Sequence, residues 1–194
     1  FERGGALSLT QDNGYALFKI SPGYDTIRSL KLEKVKKSKW PKDSLGIYDL
    51  SSNTLIKEPG VYSYQVAEKG NTLAYVQEEQ IESRGGLFAL LFASREDKKE
   101  NRKVLKVYGS YPILSFRQSD VKKFTLSPDG SRIACIESVE DKEKQLSEKM
   151  VVRSTLNGQQ IVSFPLIQKY KVPIWSASSE KMAFFFSDDT THNN

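Results

Sequence analysis

One pattern recurs along this chain and limits what it can fold into. Val61-Tyr-Ser-Tyr-Gln-Val-Ala-Glu-Lys-Gly-Asn-Thr-Leu-Ala-Tyr-Val76 aligns without a gap on Val121-Lys-Lys-Phe-Thr-Leu-Ser-Pro-Asp-Gly-Ser-Arg-Ile-Ala-Cys-Ile136. Val61 pairs with Val121, Tyr64 with Phe124, Val66 with Leu126, Gly70 with Gly130 and Ala74 with Ala134. A weaker copy runs from Tyr170 to Phe185, with Trp175 in the Leu126 place and Met182-Ala183 in the Ile133-Ala134 place. Ser179 replaces the glycine there, so its turn is expected to differ. Another copy opens the chain, Leu7 to Phe18, and is read as one residue shorter.

Each copy carries the same physics. An alternating strand sends apolar residues to one face. A Pro-Asp-Gly or Lys-Gly-Asn tetrad turns the chain, with glycine supplying a positive φ. A second strand follows, centred on apolar-Ala-apolar, and an alanine there implies close packing against it. Fixed-period β units of this kind stack into propellers, whose blades have four antiparallel strands.

The markers Ala16, Ala74, Ala134 and Ala183 lie about 50 to 60 residues apart, slightly longer than a lean blade. The expected fold is therefore all-β, a partial β-propeller of about four blades of four-stranded antiparallel sheet. It is read as one propeller segment over 1–194, with approximate blades at 5–50, 61–108, 121–164 and 170–188. Outer strands are expected at Thr26–Val35 and Asp43–Leu50, at Gly86–Ser94 and Val104–Tyr108, and at Met150–Leu156 and Gln160–Phe164. Asn157-Gly158 is a strong hairpin signal between the last two.

Three polar stretches fall between these strands: Lys34–Lys42, Arg95–Lys103 and Glu137–Lys149. They read as solvated loop tips, and the third has the composition of a short helical excursion. Lys36, Lys37 and Trp40 are the candidate partner contacts, a basic pair beside an exposed aromatic.

Composition fits this reading. Aromatics make up 11% of the 194 residues, mostly Tyr and Phe, which suit strands. The formal charge is +5, but no basic run carries a nucleic-acid motif, so nucleic acid is an unlikely partner. No apolar run approaches the length of a membrane-spanning helix. The start at Phe1 is read as that of a trimmed or processed chain, so an export signal would not be visible.

Catalytic chemistry was sought and not found. Gly-x-Ser-x-Gly is absent, and the one histidine, His192, lies in the polar tail. One cysteine and one histidine cannot build a zinc site. Cys135, in an apolar run, reads as a small buried hydrophobe. Gly4-Gly5 and Gly85-Gly86 lack the Lys-Ser/Thr of a phosphate loop. Asp188-Asp189 lacks the spaced ligands of a calcium loop. No catalytic, cofactor-binding or metal residue is assigned. A carboxylate pair of the glycosidase kind stays open, because so many carboxylates give that signal no specificity.

Leu126-Ser-Pro-Asp-Gly-Ser-Arg-Ile-Ala134 resembles the blade signature of TolB-type, WD-repeat-like propellers. Lys42-Asp-Ser-Leu-Gly-Ile-Tyr-Asp-Leu50, then Val61-Tyr-Ser-Tyr64, resembles the N-terminal propeller region of prolyl-oligopeptidase-family serine peptidases of a Bacteroidetes type. The resemblance implies a non-catalytic scaffold and substrate gate for a downstream α/β-hydrolase domain, with peptide as the parent's substrate and a periplasmic or exported location. The family's catalytic residues have no match here. A family propeller has seven or eight blades, so about four blades imply a fragment or self-association of half-propellers. Two other functions fit the sequence: an independent TolB-like protein-binding module, and a small-substrate or carbohydrate-active enzyme built on a propeller.

Overall fold

The computed structural model describes residues 3–82, 99–140 and 146–187. The chain forms a row of antiparallel sheets, each a simple up-and-down meander. The first sheet holds β1 (Gly4–Leu9), β2 (Tyr15–Ile20), β3 (Ser44–Asp49) and β4 (Thr54–Glu58). The second holds β5 (Val61–Val66), β6 (Leu73–Glu82), β7 (Lys99–Ser110) and β8 (Ile113–Ser119). The third holds β9 (Val121–Leu126), β10 (Arg132–Glu140), β11 (Leu146–Ser154) and β12 (Gln160–Ser163). Two short ladders follow, β13 (Lys169–Tyr170) with β16 (Phe186–Ser187) and β14 (Ile174–Trp175) with β15 (Met182–Ala183). These are one hairpin interrupted at Pro173, which has no amide to donate.

The blades stack in a constant way. The third strand of each lies against the first strand of the next: β3 on β5, β7 on β9, β11 on β13. First strands also neighbour each other, β5 beside β9. This is the arrangement of a partial β-propeller, with an all-β chain as the repeat predicts.

Apolar clusters fill the spaces between blades. Leu17, Leu45 and Ile47 of the first meet Val61, Leu73, Tyr75 and Tyr108 of the second. Ala74, Val76, Leu105 and Val107 of the second meet Val121, Leu126, Ile133 and Cys135 of the third. Ile136 and Met150 meet Tyr170 of the last hairpin. Each fully buried Leu, Ile or Val among them contributes about 1.5–3 kcal/mol. Ala74 and Ala134 are fully buried, so the close packing expected at the alanine is present. In the first copy the equivalent residue is Leu17, not Ala16: Leu17 faces Ser8 as Ala74 faces Gln65 and Ala134 faces Thr125. The opening copy thus aligns without a shortened turn.

Several expected elements differ. Thr26–Val35 is not a strand; Tyr24–Leu32 is a helix, α1. The alternation of Leu30-Lys-Leu-Glu suggests a strand, but β2 already pairs with β3 and leaves no place in the ladder. Asp25 in the first turn and Lys31 in the last complement the helix dipole. Asp43–Leu50 is therefore a third strand, and the fourth is β4 at Thr54–Glu58. Val104–Tyr108 likewise lies in the third strand of its blade, whose fourth is Ile113–Ser119. Gly86–Ser94 lies outside the described residues. Glu137–Glu140 and Leu146–Lys149 are not helical but extend the β10–β11 ladder, because each Glu and Lys there pairs across the hairpin, as Glu137 does with Lys149. Residues 141–145 between them are outside the described part. β11 and β12 fall where the sequence places them.

Candidate binding surface

The repeat builds one six-residue turn four times: Thr10–Tyr15, Ala67–Thr72, Ser127–Arg132 and Ser176–Lys181. In each, the first amide donates to the carbonyl of the sixth residue, at 3.1, 2.9, 2.9 and 2.9 Å. The fourth residue has positive φ every time, at Asn13, Gly70, Gly130 and Ser179. The turn at Ser179 therefore does not differ, contrary to expectation: a serine takes the same left-handed conformation. Local hydrogen bonds hold it there. Ser179 donates its amide to the Ser176 carbonyl, and Lys181 donates its amide to Ser176 Oγ. Thr10 and Ser127 accept the same bond from Tyr15 and Arg132.

These turns touch from blade to blade. The third residue of each donates its amide to the next turn: Asp12 to Asn71 Oδ1 at 3.1 Å, Lys69 to the Pro128 carbonyl at 2.7 Å, Asp129 to Ser179 Oγ at 3.0 Å. Gly70 also donates to Gln11 Oε1. The result is a continuous polar rim on one face of the stack. Asp129 is its most constrained carboxylate. Burial works to raise its pKa, but bonds from Ser127, Ser131 and Ser179 outweigh that and hold it at about 2.

The first strands line a groove inside this rim. A cavity of about 230 Å³ is bounded by Gln65, Val66, Thr125, Leu126 and Trp175. A shallower one of about 410 Å³ lies between β1 and β5, at Leu7, Ser8, Lys19, Tyr64 and Gln65. Gln65 joins the two and is fixed by accepting the Leu126 amide at 2.8 Å. Tyr64 donates its hydroxyl to the Ala6 carbonyl. The Trp175 indole faces the Thr125 carbonyl at 3.4 Å. Amides, hydroxyls and one indole can hold an extended polar chain. Glu68 is the one carboxylate at the first cavity and none lines the second, so neither offers the facing pair a glycosidase uses. Among the described residues no group of three or more His, Cys, Asp or Glu could hold a metal ion.

The sequence-derived contacts lie elsewhere. Lys36 and Lys37 are exposed on the excursion after α1, and Trp40 is half-buried. The Trp40 ring nitrogen donates to the Val35 carbonyl at 2.9 Å, which closes its own loop. None of the three lines the groove. Cys135 is fully buried in the core between blades two and three. His192 and Asp188-Asp189 lie outside the described residues, as does Gly85-Gly86. Sequence reasoning missed Gln65, whose only signal is a polar residue at an otherwise apolar strand end. It also missed Glu148, 8% exposed, which binds Lys122 Nζ at 3.1 Å and the Tyr170 amide at 2.7 Å and so ties the last hairpin to blade three.

No protein-family model matches the sequence, and no curated protein matches it. Solved structures do. Pyrococcus horikoshii acylaminoacyl peptidase aligns with 99% of the chain at 10% identity and TM-score 0.55. The tricorn protease aligns with 89% at 13% identity and TM-score 0.51. The chain shares their fold. The β-propeller domain of the trilobed protease from Pyrococcus furiosus aligns with 90% at 8% identity and TM-score 0.47. This chain spans 29% of the acylaminoacyl peptidase chain and 14% of the tricorn chain. Identities this low speak to the fold alone. Among the described residues no helix is long and apolar enough to cross a membrane.

Proposed function

We propose that this chain is a propeller segment of a larger peptidase-family protein, in which it serves as scaffold and substrate gate beside a hydrolase domain. One observation carries the reading. In each complete blade, second-strand side chains on the forward face are covered by the following blade: Val76 and Ile136 are each 1% exposed. The equivalent residue of the last hairpin, Phe185, is 72% exposed, and Ile174 beside it 71%. An apolar face of this kind is built to be covered.

The likeness in fold to two peptidases favours the same reading. So does the groove, whose lining suits an extended peptide and supplies no nucleophile of its own. The finer part rests on residues 42–50 and 61–64: a prolyl-oligopeptidase relative of Bacteroidetes type, with TolB-like blades and an exported location.

Fluorophosphonate labelling tests this. The isolated 194-residue chain is expected to take no label. A longer polypeptide carrying this segment, identified in its cells by an antibody against the chain, is expected to label on a serine outside it and to fractionate with exported proteins. Labelling of the isolated chain overturns the proposal, as does a longer polypeptide that never labels.

A further inference from the structure

The last hairpin has a second uncovered feature, distinct from its forward face. Three blades place a third strand along the outer edge of the second. Along Met182–Ser187 no such strand is paired among the described residues. The carbonyls of Lys181 and Phe185 turn inward to Ser176 and Lys171. By strand alternation the peptide groups of Met182 and Phe184 point outward, free to pair.

Beside that edge lies a cleft of about 310 Å³, lined by Val152, Val162, Phe164, Met182 and Phe184, with Glu180 at its rim. Phe184 is held edge-on to Phe164, ring centroids 4.8 Å apart. The complete blades show what occupies the matching place. In blade three, Val151 stands opposite Cys135 and Arg153 opposite Ile133. Cys135 and Ile133 correspond to Phe184 and Met182 in the repeat. Arg153 pairs there with Glu137 at 3.0 Å.

We propose that the edge Met182–Ser187 is a strand-addition site. Its occupant is an extended peptide segment, antiparallel to the edge, with an aliphatic side chain opposite Phe184 and a long basic one opposite Met182, within reach of Glu180. Main-chain pairing supplies the affinity and the cleft selects the alternate side chains. This holds whether or not the parent protein is a peptidase.

The probe is a synthetic peptide of residues 146–154, the third strand of blade three, added to the whole chain. Hydrogen exchange and the fluorescence of Trp175 in a Trp40→Phe background are read together. Saturable binding with slowed exchange confined to 182–187 is expected. The same peptide N-methylated on alternate amides is expected to bind at least about tenfold more weakly; this control leaves the protein unchanged. A Glu180→Gln chain is expected to lose affinity for the peptide but not for one with Arg153 replaced by norleucine. No binding at millimolar peptide overturns the proposal. So does protection away from 182–187, or equal binding by the N-methylated peptide.

Discussion

Asp129 donates its backbone amide to Ser179 Oγ across 3.0 Å, from one blade's turn to the next. Ser179 itself holds a φ of +63°, a conformation that disfavours a side chain. The residue thus combines local strain with an inter-blade bond. Ser179→Ala keeps the strain and removes the acceptor, so it is expected to cost about 1 kcal/mol. Ser179→Gly removes the acceptor but also relieves the strain, and is expected to be the milder of the two. Urea unfolding midpoints rank them; an alanine variant equal to the native chain would show that the bond does not count.

Gly130 and Gly70 hold the same place in their turns but differ in surroundings. A Cβ on Gly130 would lie 2.7 Å from Thr72 Oγ1 and 2.8 Å from Ala67 Cβ, in the neighbouring blade. On Gly70 it would meet only the Asp129 carbonyl, at 3.4 Å. Gly70→Ala is expected to cost about 1–2 kcal/mol, from the left-handed backbone alone. Gly130→Ala adds overpacking and is expected to cost about 2–4 kcal/mol in total. Chemical denaturation of both variants measures the difference.

That pair also marks what the sequence makes legible. Gly70 and Gly130 disclose the hairpin, and the spacing of the copies discloses the blade row, because both follow from local backbone demands. The partner across the blade gap carries no such mark: nothing in the sequence around Ser179 says that its hydroxyl serves Asp129. The same limit explains α1. Residues 24–32 have an ambiguous period, and only the direct pairing of β2 with β3 excludes them from the sheet. Once they leave, the third and fourth strands shift along the chain to Ser44–Asp49 and Thr54–Glu58. The groove is least legible of all, since Gln65 and Trp175 meet there only after the blades stack.

Acid stability follows from the turn carboxylates. Bonds from Ser51 and Ser52 hold Asp49 at about 2, Asp129 is also at about 2, and Thr10 with the Gly14 amide lowers Asp12. All three lie below the unfolded value of about 3.9. Their contribution is therefore fully present above about pH 4 and is lost as pH falls toward 2. The urea midpoint is expected to fall steeply across that window. Asp129→Asn is expected to start lower at neutral pH and to fall less steeply; an unchanged slope would assign the acid sensitivity to other groups.

Glu148 joins the last hairpin to the rest, and its replacement separates pairing from packing. Its carboxylate binds Lys122 and the Tyr170 amide. Its own backbone also exchanges bonds with Ile167, at 2.7 and 3.1 Å, and these survive substitution. Glu148→Ala strands a buried amide and a lysine, an expected cost of about 2–4 kcal/mol. Glu148→Gln keeps an acceptor for Tyr170 and is expected to cost less. Hydrogen exchange localises the effect, because the damage is expected at 167–187 while the core around Cys135 stays protected. The thiol offers an independent check: Cys135 is fully buried, and burial, aided by Glu137, pushes its pKa up to about 12. It is therefore expected to resist alkylation in the native chain and in Glu148→Ala alike, yet to react faster in Gly130→Ala, which forces apart the blades that enclose it. Equal alkylation rates in the two variants would mean that the stack opens as a single unit.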